Sequence, residues 1–82
     1  MRVPRDVDAS DMIKLLRQHG YYVIRQTGSH IRLSKNLDTG EHALTVPNHK
    51  PLKIGTLQHI VKDVCLINNL DVRDVYGQLS KF

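Results

Sequence analysis

The stretch Arg25-Gln26-Thr27-Gly28-Ser29-His30-Ile31-Arg32-Leu33 constrains this chain more than any other. Two runs of alternating polar and apolar residues meet at Gly28-Ser29. A two-residue loop led by glycine suits a type II′ hairpin turn, because glycine takes positive φ at little steric cost. That turn predicts Thr27 opposite His30 and Arg25 opposite Arg32, with Ile24 near Leu33. Side chains alternate along a strand, so one face collects Tyr22, Ile24, Ile31 and Leu33. The other collects Arg25, Thr27, His30, Arg32 and Ser34. The first reads as a core face. The second reads as a wet, basic face with an imidazole at its tip.

The flanking sequence supplies partners for that hairpin. Asp8 or Ser10 can cap a helix carrying Met12, Ile13, Leu15, Leu16 and His19 as its stripe, with Gly20 just past its end. Tyr21 to Thr27 and His30 to Lys35 form the hairpin arms. Asn36 to Gly40 has turn composition, Glu41 to Val46 alternates again, and Pro47 stops it. A basic loop follows, Pro47 to Lys53. Leu57, Ile60, Val61, Val64 and Cys65 then recur at the spacing of an amphipathic helix, which Asn68-Asn69 breaks. Asp71 caps a last helix bearing Val72, Val75, Tyr76 and Leu79. Residues 1–7 carry charge and a proline without periodicity and read as a loose arm. Residues 71–80 read as a C-terminal helical extension of a single domain spanning 1–82. The order α-β-β-β-α plus a final helix predicts an α+β fold, a three-stranded antiparallel sheet with helices on one face.

Eighty-two residues, 40% of them hydrophobic and 24% charged, suit one small globular domain. The net charge of +4 favours anionic partners, nucleic acid foremost. Cys65 is the only cysteine, so no intramolecular disulfide is possible and a cytoplasmic location is expected. Neither a signal peptide nor a membrane span is expected, since no apolar run approaches the required length.

Four features, in order, resemble the HicA family of small bacterial toxins, also called YcfA-like proteins. A short first helix ends at Gly20-Tyr21. Arg25-Gln26-Thr27-Gly28-Ser29-His30 follows. A strand ends in Val46-Pro47-Asn48-His49, and Leu52-Lys53-Ile54-Gly55-Thr56-Leu57 opens the second helix. The resemblance spans roughly residues 10 to 66. It implies a fold like that of double-stranded RNA-binding domains, ribonuclease activity on mRNA, a catalytic role for His30 and a cognate HicB-type antitoxin. The chain departs from the family in two places. Val64-Cys65-Leu66-Ile67 continues apolar where the family commonly has an Ala-Gly ending, and the helix from Val72 to Ser80 extends past the common motifs.

RNA carries its own nucleophile, the 2′-OH. Cleavage needs that hydroxyl deprotonated, the phosphate charge stabilised and the 5′-oxygen protonated. An imidazole can act as base or acid near neutral pH, and arginine or lysine can stabilise the developing charge. His30 beside Arg25 and Arg32 offers both without a metal, whereas a solvated turn histidine is the bland alternative. Gly28 and Ser29 at the turn, with Lys50 and Lys53, complete the phosphate-binding candidates. A helix starting near Ile54 would present the amides of Ile54-Gly55-Thr56 and its positive dipole end to a phosphate. An ordinary helix start with solvated lysines explains the same residues. His49 is the next acid–base candidate, with an exposed loop residue as its alternative. His19, His42 and His59 read as structural or solvated. No histidine or cysteine pair has metal-ligand spacing, so neither metal nor cofactor is expected. Cys65 reads as core. Tyr21 could lie on the wet face and stack a base, with Tyr22 in the core.

The leading reading is therefore the toxin of a type II toxin–antitoxin pair, a metal-independent endoribonuclease with mRNA as substrate. A non-catalytic RNA-binding module of the same fold is the alternative. A degenerate toxin retained for protein interaction is a third reading. Growth arrest on expression, relieved by His30→Ala, separates the first from the others.

Overall fold

Leu33 is completely buried at the middle of the central strand, and the rest of the chain is arranged over it. The computed structural model describes residues 3–82. Its elements run α1 (Ala9–Gln18), β1 (Tyr22–Thr27), β2 (His30–Leu37), β3 (Gly40–Pro47), α2 (Ile54–Asn68) and α3 (Val72–Leu79). The strands form one open antiparallel sheet in the order β1-β2-β3. Three strands and three helices make an α+β fold consistent with the double-stranded-RNA-binding-domain arrangement.

Strand alternation sends Ile31 and Leu33 of β2 to one side, where they pair with Val46 and Leu44 of β3. All four are buried. Helices α1 and α2 pack against β3 on this side, and α3 packs on both helices. α1 contributes Ala9, Met12, Leu15 and Leu16, a single stripe at helical spacing. Its first turn is fixed by Asp11, whose Oδ2 accepts the Asp8 amide at 3.0 Å. Gly20 ends it with φ +93°, and an added Cβ there would meet Lys35 Cε at 3.2 Å. The backbone angle calls for glycine. α2 buries Leu57, Ile60, Val61, Val64 and Cys65 and ends at Asn69 in the left-handed region. α3 starts at Asp71, whose carboxylate accepts the Arg73 amide at 2.8 Å, and buries Val75, Tyr76 and Leu79.

Two expectations are corrected here. Tyr22 and Ile24 do not belong to the core face, being 44% and 48% exposed, while Tyr21 is buried. The cause is a β-bulge. Val23 pairs with Leu33 and Arg25 with Arg32, leaving Ile24 as an extra residue without a partner. One extra residue flips the facing of everything before it. Val23 therefore packs on the core in place of Ile24. The second correction concerns the segment before α1. Val7 is buried, its carbonyl accepts the Leu52 amide at 2.8 Å, and the Ala9 amide reaches the His49 carbonyl at 3.1 Å. These bonds tie Val7 and Ala9 to the loop before α2, so Val7 is not part of a loose arm. Residues 1 and 2 lie outside the described residues.

A polar cluster joins the sheet to α2. Tyr21 Oη lies 2.6 Å from His42 Nδ1, and His42 Nε2 lies 3.1 Å from Asp63 Oδ2. Asn68 Nδ2 donates to Tyr21 Oη at 3.0 Å, and Lys35 Nζ donates to Asn68 Oδ1. One tautomer satisfies all of them: Tyr21 donates to Nδ1, and Nε2–H donates to Asp63. His42 is thus a structural residue, the first of the two readings, structural or solvated, that the sequence offered.

Candidate functional site

The site begins with the turn between β1 and β2. Gly28 has φ +44°, and Ser29 stays out of the positive-φ region, as a glycine-first turn requires. Thr27 pairs with His30 across it. The Asn48 amide donates to the Ser29 carbonyl at 2.8 Å, so the chain leaving β3 buttresses the turn. His30 also pairs with Pro47 on its other side. The imidazole is consequently carried on a hairpin end braced from both flanks, while its side chain stays exposed.

Arg25, Thr27, His30, Arg32 and Thr45 line an open depression of about 370 Å³ on the sheet face opposite the helices. Arg25 stands directly across from Arg32, and Arg32 from Thr45. Arg32 Nη1 donates to Thr45 Oγ1 at 3.0 Å, which fixes the guanidinium. Ser29 Oγ lies 3.2 Å from His30 Nδ1 and orients the ring. A hydroxyl can donate or accept, so Ser29 can hold either tautomer of His30. Among the described residues no carboxylate forms an ion pair with Arg25 or Arg32. Two unneutralised guanidiniums facing each other favour an anion between them. Of the five lining side chains, only the imidazole is of a type that exchanges protons near neutral pH.

The structure brings together His30, Arg25 and Arg32, with Gly28 and Ser29 at their margin. Lys50, Lys53 and His49 do not line the depression. They are exposed in the loop that follows Pro47 and leads to α2. Lys53 is the N-cap of α2, with no side chain capping that end. Thr45 was not anticipated as a site residue. It follows from counting along the second hairpin, because Leu37 pairs with Gly40 and the same ladder sets Arg32 against Thr45. His19 bonds Gln78 at 2.9 Å and His59 is exposed on α2, both away from the depression.

The family model described as HicA toxin of bacterial toxin-antitoxin matches residues 9–66. That span covers α1, the whole sheet, the depression and all but the last two residues of α2. No curated protein and no solved structure gives a match. No helix among the described residues is long and apolar enough to cross a membrane.

Proposed function

The chain belongs to the HicA family of bacterial toxins, so that it is the toxin of a toxin–antitoxin pair, and from that premise we propose that it is an endoribonuclease cleaving mRNA with His30 as its acid–base group. The observation that carries this reading is the composition of the depression, one oriented imidazole and two unpaired arginines. With Nδ1–H held by Ser29 Oγ, His30 Nε2 is a free base. It takes the proton of the 2′-OH as that oxygen bonds to phosphorus. Arg25 and Arg32 hold the non-bridging oxygens, whose charge grows in the transition state. The bond to the 5′-oxygen breaks, water entering the open depression protonates the leaving oxygen, and the hydroxide so formed takes the proton from the His30 imidazolium, restoring the base. The products are a 2′,3′-cyclic phosphate and a 5′-hydroxyl. The scheme uses no metal or cofactor.

The mRNA substrate places this activity in the cytoplasm. A HicB-type antitoxin is the partner that restrains it. Lys50, Lys53 and the N-terminal amides of α2 grip the sugar–phosphate backbone on one flank, without base specificity.

The test is cleavage of a defined RNA by purified protein, with end-group analysis and with or without EDTA. Cleavage to a 2′,3′-cyclic phosphate in EDTA, lost in His30→Ala, is the expected result. Full activity in His30→Ala removes His30 from the mechanism. RNA binding without cleavage by the native protein assigns the non-catalytic reading instead.

A further inference from the structure

We propose that the sheet face beyond the depression is a stacking platform for an unpaired base, with Tyr22 as its aromatic surface, so that the substrate strand is single-stranded where it crosses β2. The identity of the strand rests on the nuclease reading above. The test below measures binding rather than cleavage, so the two fail separately.

The argument starts from the register. On the face away from the helices, successive rungs are Thr27–His30–Pro47, then Arg25–Arg32–Thr45, then Tyr22–Ser34–Ala43. The bulge at Ile24 is what puts Tyr22, rather than Tyr21, on this face. Tyr22 is 44% exposed and Ile24 48% exposed, on a strand whose other exposed residues are Arg25, Gln26 and Thr27. Ser34 is buried and Ala43 partly buried, so Tyr22 is the one exposed side chain of its rung. Ser34 is fully buried on a face that no helix covers, and its Oγ has no hydrogen-bond partner. The third rung thus presents the aromatic ring of Tyr22 on an otherwise polar face.

Continuity and charge favour a nucleic-acid strand on this face. From the His30 rung to the Tyr22 rung is four residues of β2, roughly 13 Å at about 3.3 Å per residue. None of the nine residues on these three rungs is acidic, and the first carboxylate is Glu41, one rung further on beside Asn36. A strand whose phosphate sits between Arg25 and Arg32 meets Tyr22 within a few nucleotides. A paired base has both faces occupied by its stack. Only a splayed, unpaired base can offer a face to Tyr22. The double-stranded-RNA-binding-domain-like fold therefore carries a single-strand surface on the sheet side.

The test uses the full chain and 2′-O-methyl RNA oligonucleotides, which it cannot cleave. One set carries 2-aminopurine at successive positions, and another is annealed into a duplex. The native protein is expected to quench 2-aminopurine at a particular position of the single strand. Tyr22→Ala is expected to weaken single-strand binding roughly 5- to 100-fold, the worth of one stacked base. Tyr22→Phe keeps the native affinity, and duplex affinity is the same in all three proteins. Native single-strand affinity in Tyr22→Ala, or no quenching at any position by the native protein, overturns the proposal. So does a Tyr22→Ala protein that keeps its RNA affinity but loses antitoxin binding, which assigns the face to a protein partner. Should Tyr22→Ala not fold, the quenching by native protein and by Tyr22→Phe decides.

Discussion

Arg25 faces Arg32 directly across the β1–β2 ladder, with His30 one rung nearer the turn. Like charges at directly opposed positions destabilise a sheet by a fraction of about 1 kcal/mol. An anion held between them reverses that sign. Inorganic phosphate should therefore raise the unfolding temperature of the native protein more than that of Arg25→Thr or Arg32→Thr. The comparison with the variants removes the general stabilising effect of phosphate on protein burial. Equal rises in all three proteins would show that the depression holds no anion.

Ser29 tests the acid–base assignment from its edge. Its Oγ orients His30 through Nδ1 and, in the mechanism above, touches no reacting atom. Ser29→Ala should lower the cleavage rate by about tenfold or less, the net worth of one hydrogen bond. His30→Ala should lose about 10²–10⁴-fold. RNA affinity should hold in both, since the arginines remain. Single-turnover rates on a fixed RNA measure the difference.

Salt dependence counts the phosphates. If Arg25, Arg32, Lys50 and Lys53 each neutralise one phosphate, log affinity for single-stranded RNA should fall against log salt with a slope near about −3. The lysines lie outside the depression, so they are separable from the arginines. A Lys50→Ala, Lys53→Ala double variant should bring the slope to about −1.4. An unchanged slope would confine the phosphate grip to the depression.

Tyr21 contributes to the loss of stability at alkaline pH. Burial, mainly, holds its phenol above the usual 10.0, with Asp63 adding to the rise and the Asn68 hydrogen bond opposing it. A folded-state pKa above the unfolded one means that the native state keeps a proton the unfolded chain has released. This stability is complete below the unfolded value and is lost as pH rises through it towards the folded value. Tyr76 and Cys65 are pushed up by burial and act in the same direction. Tyr21→Phe should cost about 1–3 kcal/mol at neutral pH, because His42 and Asn68 lose their shared partner. It should also flatten part of the alkaline decline. Denaturant melts from pH 7 to 11 measure both effects.

The bulge makes a sharper prediction about the core. Leu33→Ala should cost about 2–5 kcal/mol, whereas Ile24→Ala should stay within about 0.5 kcal/mol, since Leu33 is fully buried and Ile24 half exposed. Alternation read from the turn without a bulge would make both substitutions costly. Urea midpoints for the two variants decide between the registers.

The turn-proximal part of the site was legible because everything there is local. Gly28-Ser29 defines the loop, and counting outward from it pairs Thr27 with His30 and Arg25 with Arg32. The count failed beyond Arg25, because a bulge leaves no mark in a run of β-branched and aromatic residues. Tyr21 and Tyr22 therefore exchanged roles. Thr45 needed the second hairpin's two-residue loop at Asp38-Thr39, hidden in a longer stretch of turn composition. Val7 was illegible for a different reason. Its burial depends on the loop at residues 49–52, contacts that no local pattern encodes. The cluster of Tyr21, His42, Asp63, Asn68 and Lys35 is likewise assembled from β2, β3, α2 and the connection before β1.

In the strand order β1-β2-β3, both β1 and β3 are edges, and each leaves one row of backbone amides and carbonyls unpaired. A straight edge invites a strand from another molecule, which is the start of aggregation. β1 is interrupted at Ile24 by the residue that fits no register, and β3 stops at Pro47, which has no amide to offer. The irregularity that turns Tyr22 outward also denies a second chain the unbroken edge it would need to add itself to the sheet.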